Sequence, residues 1–222
     1  MAAPIAGFIQ LPLDTSNTGK KRRTQTKVIG ADTVHEDFVI PISKRNILGS
    51  YITSTGVIAI PIAAQNGTTT GAVWFYNPVG STKKVAIEKI KIAVQFVALA
   101  EDLLAGNLSI SSMTVTGTAS GTQKVPGKLD STMPVASADA RTVVTGLTPV
   151  LVSVLGSFLL PVMGLATGGA GVFPAANLEW VADSEEEEII LNAGEGIVIW
   201  NASAVTTANR NMVINIQHSE YE

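Results

Sequence analysis

The chain lacks cysteine, has only two histidines and carries few charges. The absence of cysteine among 222 residues excludes disulfide bonds and thiolate metal sites. The two histidines, His35 and His218, lie in separate segments, whereas a zinc site needs three or four converging ligands. No metal site is therefore predicted.

The low charge also restricts the partners that the chain can have. Charged residues make up 15% of the sequence and apolar residues 46%, so we expect other subunits to cover part of the apolar surface. The net charge of −3 gives no overall attraction to nucleic acid, which is not an expected partner. The first residues do not have the charged and apolar regions of a secretion signal, so none is predicted.

Motifs of catalysis and cofactor binding are missing as well. The sequence has no G-x-S-x-G turn and no acid–base group in a recognisable setting, so no enzymatic activity is expected. Gly194 and Gly196 precede a strand, whereas a dinucleotide-binding motif has three glycines that open a helix. No cofactor is predicted.

The clearest structural pattern lies near the C-terminus. Residues 189–191 and 197–200 are two apolar, β-branched runs, and the Asn/Gly-rich link between them predicts a hairpin or a tight corner in a sheet. Gly194 and Gly196 are expected to supply positive φ values there. Residues 212–217 alternate between apolar and more polar side chains, as a strand with one core face does.

Similar short runs, separated by Gly/Pro turns, occur along most of the chain. They predict strands at residues 38–42, 51–62, 72–77, 85–97 and 108–118, with a possible helical turn between 94 and 104 and a loop-like stretch at 119–141. The prediction is an all-β fold, an antiparallel β-sandwich of the jelly-roll type, in one domain over residues 38–222.

Residues 1–37 are predicted to be an extended N-terminal arm with an apolar tip and a basic cluster. The basic cluster at residues 20–23 has two interpretations, a contact to an acidic neighbour or nucleic acid, and a solvated charge cluster. The residues expected to bind a partner are Ile5, Phe8, Ile9, Leu11, Lys20, Lys21, Arg22 and Arg23.

Residues 147–171 form an apolar insertion. Its first twenty residues are long enough to span a membrane, but Pro149, Gly156 and Pro161 and the β context argue against a spanning helix. We expect a core strand around residues 150–155 and a self-association surface after it, most plausibly in a trimer. The predicted interface residues are Phe158, Leu159, Leu160, Val162, Met163 and Leu165.

Two further groups of side chains each have a functional and a structural interpretation. The glutamates at residues 185–188 could bind Ca²⁺, but four in a row better fit a solvated approach to a strand. Trp74, Tyr76 and Trp200 could form a sugar-stacking platform, although aromatic residues on strands usually belong to the core.

Over residues 67–222 the order of features resembles a loosely defined group of tailed-bacteriophage virion proteins, which are β-sandwich subunits of capsid decoration, head fibres or tails. The features that carry the resemblance are the Thr-rich loop at 67–71, the aromatic strand ending in Asn77-Pro78, the strand at 85–90, the segment at 128–131, the turn at 191–196 and the C-terminal strand.

The resemblance implies a non-enzymatic structural subunit, most plausibly a capsid decoration (cement) or head-fibre protein. The implied partners are further copies of the chain and other virion proteins such as the major capsid protein, with no membrane involved. The implied location is the virion, assembled in the host cytoplasm. The alternative is a carbohydrate-binding module of a tail or baseplate that recognises a host surface glycan.

Overall fold

The computed structural model describes residues 6–10, 21–29, 32–37, 47–96, 106–160, 175–184, 187–205 and 210–222. Every regular element among them is a β-strand, which confirms the predicted all-β class. The predicted strand at 38–42 and most of the possible helical turn at 94–104 lie outside the described residues.

The chain divides into two compact units, Met1–Lys44 and Arg45–Glu222. In the first unit, β1 (Ala6–Gln10), β2 (Lys21–Ile29) and β3 (Asp32–Asp37) form an antiparallel sheet in the order β1-β2-β3. The strands of this unit therefore pair with one another, and the extended form of the arm is not confirmed.

The second unit contains eleven strands. They are β4 (Ile47–Ala59), β5 (Val73–Tyr76), β6 (Lys84–Phe96), β7 (Asn107–Ser120), β8 (Gly127–Lys128), β9 (Asp139–Arg141), β10 (Thr145–Leu159), β11 (Ala175–Val181), β12 (Ile189–Leu191), β13 (Glu195–Asn201) and β14 (Arg210–Tyr221). Sheet I has the order β10-β7-β13-β5-β9, and sheet II has the order β11-β6-β14-β4-β8, with β12 also paired to β6. All of these pairings are antiparallel.

The main core lies between the two sheets, so this unit is a β-sandwich. Phe75 and Ile197 enter the core from sheet I, and Ile90 and Ile214 enter it from sheet II. On β14 the buried and half-buried positions alternate as the sequence predicts, because successive side chains of a strand point to opposite faces.

A second apolar cluster covers the outer face of sheet I. Trp74 and Tyr76 belong to it because they alternate with Phe75 along β5. Leu147 and Leu151 of β10 pack against this cluster from the edge of the sheet. Sheet I is therefore apolar on both faces.

The segment after β12 is a corner between the two sheets. Leu191 ends a strand of sheet II and Glu195 begins a strand of sheet I, so the predicted corner is confirmed and the hairpin alternative is wrong. Gly194 has the expected positive φ of 80°. The positive φ predicted for Gly196 is wrong. Gly196 is needed for a different reason, since a Cβ there would lie 2.6 Å from Cβ of Tyr76.

The apolar stretch at residues 147–159 lies within β10, as a strand and not a helix. Among the described residues, no helix is long and apolar enough to cross a membrane. The prediction of a core strand around residues 150–155 is wrong, because Val150, Val152 and Val154 are 57%, 65% and 65% exposed. The reason is that β10 forms one edge of sheet I.

A close backbone approach seats β10 against β7. Gly117 has a φ of 92°, and a Cβ there would lie 2.4 Å from the carbonyl oxygen of Gly146. Gly80 has a similar φ of 85°, but a Cβ there would meet no atom within 4 Å. Gly117 therefore combines a left-handed backbone conformation with a close contact, whereas Gly80 has the left-handed conformation alone.

We predict that Gly117→Ala lowers the free energy of unfolding more than Gly80→Ala does. Gly80→Ala should cost only the roughly 1–2 kcal/mol of placing an L side chain in left-handed backbone. Gly117→Ala must in addition push β7 and β10 apart. Urea unfolding monitored by circular dichroism measures the free energy of unfolding of both variants. Equal losses of stability would contradict the importance of the close contact between Gly117 and the Gly146 carbonyl.

Candidate functional site

A buried carboxylate at the end of β14 is the first group to test for chemistry. Glu220 is fully buried and accepts hydrogen bonds from the Ala138 backbone N–H (2.9 Å), the Ser137 backbone N–H and Nζ of Lys83 (3.0 Å). Burial alone would raise the pKa of Glu220, but these donors outweigh it and hold the pKa below its usual range. The carboxylate is thus a satisfied anion that ties β14 to the segment before β9.

His218 lies two residues away in the core. Its ring stacks on Tyr51 with 5.3 Å between centroids and meets the edge of Phe75 at 4.8 Å. Burial lowers the pKa of His218 to about 4, although the nearby Glu220 carboxylate opposes the shift. His218 is therefore a neutral core residue at pH 7.

A second polar group joins β5 to β9. One carboxylate oxygen of Asp139 accepts hydrogen bonds from Oη of Tyr76 (2.6 Å) and from Nε and Nη2 of Arg141 (3.0 and 2.9 Å). Burial, together with the Asp139 carboxylate, raises the pKa of Tyr76, so the phenol stays protonated and donates. The group fastens a short edge strand to the sheet.

The aromatic residues do not form an exposed platform. Trp74 and Tyr76 are each 3% exposed. Trp200 is half-buried, and its Nε1–H donates to Oγ of Ser111 (3.1 Å). Their interpretation as packed core residues is confirmed.

The described residues of the acidic run do not form part of a cation site. Glu187 is exposed, and its Oε2 accepts a hydrogen bond from the backbone N–H of Asp183 (3.2 Å). Residues 185 and 186 lie outside the described residues. In the part of the chain that the structure describes, no three His, Asp or Glu side chains converge on one point.

The most distinctive surface of the sandwich is the edge strand β10. It is fifteen residues long and has no charged side chain. Its exposed large apolar residues, here called the β10 surface, are Val150, Val152, Val154, Leu155 and Leu159. Natural edge strands usually carry charges that discourage association, so an uncharged one points to a contact surface.

The apolar side chains flank this edge on both faces. Val150 lies opposite Thr114 of β7, and Val154 lies opposite Ser111. Residues 111 and 114 of a regular strand point to opposite faces of the sheet, and so do the valines across from them. A partner that covers the β10 surface therefore has to contact both sides of the edge.

Pro149 limits how a partner can bind there. Pro149 lies opposite Val115, whose N–H donates to the carbonyl of Gly194 on the other side (2.8 Å). In antiparallel pairing the backbone nitrogen of Pro149 must then face the free edge, where it has no hydrogen to donate. Register shifts at 151/153 and 154/156 further interrupt the edge. The β10 surface is suited to side-chain contacts more than to the addition of a strand.

The structure separates the predicted interface residues. Leu160 is 3% exposed in the core, and Phe158 is half-buried against it. Leu159, which points the other way, is 73% exposed. Val162, Met163 and Leu165 lie outside the described residues. The interface stays a prediction, and of its three described residues Leu159 is the most exposed.

The predicted arm residues are divided in the same way. Phe8 and Ile9 lie in β1, and Lys21, Arg22 and Arg23 lie in β2. Ile5, Leu11 and Lys20 lie outside the described residues.

Comparisons with known proteins found no match, either among protein-family models or among curated proteins. The chemistry of the described surfaces is therefore the basis for the function. Of those surfaces, the β10 surface places five exposed large apolar side chains on one uncharged strand.

The buried histidine generates a prediction about pH. Its pKa is about 4 in the folded chain against 6.5 for an ordinary histidine, so the unfolded chain binds more protons between these values. Stability should therefore fall by about 3 kcal/mol as the pH drops from 7 to 4. Glu220, whose folded pKa is lowered, adds a further loss below its ordinary value of 4.5.

Urea unfolding at several pH values would measure this loss. A His218→Phe variant keeps an aromatic ring between Tyr51 and Phe75 but cannot titrate. Its stability should change little between pH 6.5 and 5, where wild type already weakens. The same slope in both proteins would show that another group is responsible.

Proposed function

We propose that this chain is a non-enzymatic structural subunit of a bacteriophage particle, most plausibly a capsid decoration or head-fibre protein. It binds neighbouring virion subunits, including further copies of itself and the major capsid protein. The virion, assembled in the host cytoplasm, is its proposed location. The β10 surface, an uncharged apolar strand at the edge of a rigid sandwich, is the observation that carries this proposal.

The physical work of such a subunit is the burial of apolar area. Each exposed valine of β10 would contribute up to about 1.5 kcal/mol when a partner covers it fully. The loss of freedom on association and the ordering of side chains oppose this gain in free energy. Several such contacts must therefore form together for a stable complex. The five apolar side chains of the β10 surface provide such a set on one strand.

The strand order supports a jelly roll as the finer description of the fold. Without the short strands β8, β9 and β12, eight strands remain, which are β4, β5, β6, β7, β10, β11, β13 and β14. Renumbered one to eight, the sheets read 5-4-7-2 and 6-3-8-1. Only strands four and five are sequential neighbours in one sheet, and every other connection crosses between sheets, as in two Greek keys. Many viral capsid domains have this architecture.

The N-terminal unit is proposed as a second contact with a neighbouring subunit. Its support is that Met1–Lys44 is a compact unit in itself, whose three strands pair with one another. The basic residues of β2 would suit an acidic neighbour.

We predict that Val150→Lys together with Val152→Lys weakens assembly at least tenfold. Lysine at an exposed edge costs the sandwich little but places charge where the partner must be apolar. Sedimentation velocity over a concentration series measures the association, and co-sedimentation with assembled phage capsids measures binding to the particle. Both should fall in the double variant.

Val57→Lys is the matched control, since Val57 is 70% exposed on β4, away from β10. It should assemble as wild type does. A mutation of Leu160 is unsuitable because it would place a charge in the core. Wild-type chain that stays monomeric at every concentration and does not sediment with capsids would refute the proposed function.

A further inference from the structure

One connection between the two sheets is held mainly by polar contacts. Residues 129–138, here called the strap, run from β8 in sheet II to β9 in sheet I, on the side of the sandwich away from β10. Most of the strap is exposed, and its branched apolar side chains at Leu129 and Val135 are 52% and 74% exposed. The strap therefore buries little apolar surface before Ala138 enters the core.

Neutral hydrogen bonds attach the first part of the strap to β4. The backbone N–H of Leu129 donates to the carbonyl oxygen of Ser50 (3.1 Å), and the backbone N–H of Ser50 donates to Sδ of Met133 (3.1 Å). Oη of Tyr51 donates to the carbonyl oxygen of Pro134 (3.1 Å). None of these acceptors carries a charge.

A single carboxylate attaches the last part of the strap. Oε1 of Glu220 accepts hydrogen bonds from the backbone N–H groups of both Ser137 and Ala138, and Oε2 pairs with Nζ of Lys83 (3.0 Å). A carboxylate accepts stronger hydrogen bonds than a neutral carboxyl group does, and only the carboxylate forms an ion pair. All three contacts therefore depend on the charge of one side chain.

We propose that the strap opens as one unit in acid while the two sheets stay folded, because protonation of Glu220 removes the charge that holds it closed. Protonation would break the ion pair with Lys83 and weaken both backbone hydrogen bonds at the same time. The central strands β13 and β14 do not depend on this charge, since each is paired with a strand on either side. Such a switch is independent of the proposed function.

The direction of the pH effect follows from the donors around Glu220. They outweigh burial and hold the pKa of Glu220 below its ordinary value of 4.5. The stability that the closed strap gains is therefore complete above pH 4.5 and is lost as the pH falls through the lowered pKa.

Among the described residues, the titratable groups that act on this carboxylate are Lys83, Tyr51 and His218. Burial, together with Glu220, raises the pKa of Tyr51, so its hydroxyl remains a neutral donor to the strap. His218 has a pKa of about 4 and gains its charge in the same acid range. A test of the strap must therefore also be made without this histidine.

Amide hydrogen exchange, measured for single residues by NMR, tests the switch. The amides of Leu129 and Ala138 report on the two ends of the strap, and the amide of Ile197 in β13 reports on the sandwich. From pH 6 to pH 3.5, after correction for intrinsic exchange, protection of both strap amides should fall roughly tenfold or more, the effect of losing a hydrogen bond to a charged group. Protection of Ile197 should fall much less. The result should be the same in His218→Phe.

Three variants isolate the role of the carboxylate. Glu220→Gln keeps the shape of the side chain but cannot ionise, so the strap amides should already be weakly protected at pH 7 and change little in acid. Lys83→Met removes only the ion pair, so the pKa of Glu220 should rise and opening should begin at a higher pH. Glu195→Gln is the matched control, because its carboxylate accepts the backbone N–H of Asn192 at the corner between the sheets. Its strap should behave as in wild type.

Two results would overturn the inference. One is strap protection that stays constant in acid or falls only together with that of Ile197, since the strap would then not move separately from the sheets. The other is a loss at Ala138 that leaves Leu129 protected, since the two ends would then open independently. If Glu220→Gln does not fold, Lys83→Met decides, and an unchanged onset of opening would rule out the carboxylate as the controlling group.

Discussion

The apolar layer between the two sheets is the constraint on which the rest of Arg45–Glu222 depends. Its central strands β13 and β14 each have neighbours on both sides, so their inward side chains must be apolar and regularly alternating. A polar side chain can be buried near this layer at low cost when it is hydrogen-bonded or uncharged. Glu220 meets that condition through three donors, and His218 meets it by remaining uncharged at pH 7.

Sequence alone predicts the elements that this layer enforces. The strands at 51–62, 85–97 and 108–118 and the alternation of β14 are found close to their predicted positions, because a period of two follows directly from burying one face. The corner at residues 192–195 also follows from composition, since Gly194 adopts the expected conformation. Gly196 has a role that composition hides, because only the folded sheet brings the backbone beside Tyr76.

The candidate site is harder to predict because apolar composition does not state which neighbour covers a side chain. Val150 and Leu160 look equivalent in the sequence, yet one is exposed on an edge and the other is buried in the core. The order of the strands in the sheets determines which of the two residues is buried. That order depends on pairing between strands that are far apart in the sequence. The apolar cavity beside β10 is a stronger case, since Trp180 and Ile189 line one cavity with Phe158 only because β10 and β11 lie on the same side of the sandwich.

An uncharged apolar edge would normally invite the unlimited addition of strands, and β10 avoids this by other means. Pro149 removes a donor from the free edge, and two register shifts break its regularity. Charged residues would serve the same end, but they would also repel an apolar partner. Proline and bulges thus block backbone pairing while they leave the side chains apolar. A surface of that kind favours a limited contact through side chains over an open-ended sheet, and the proposed role in a closed particle would require such a contact.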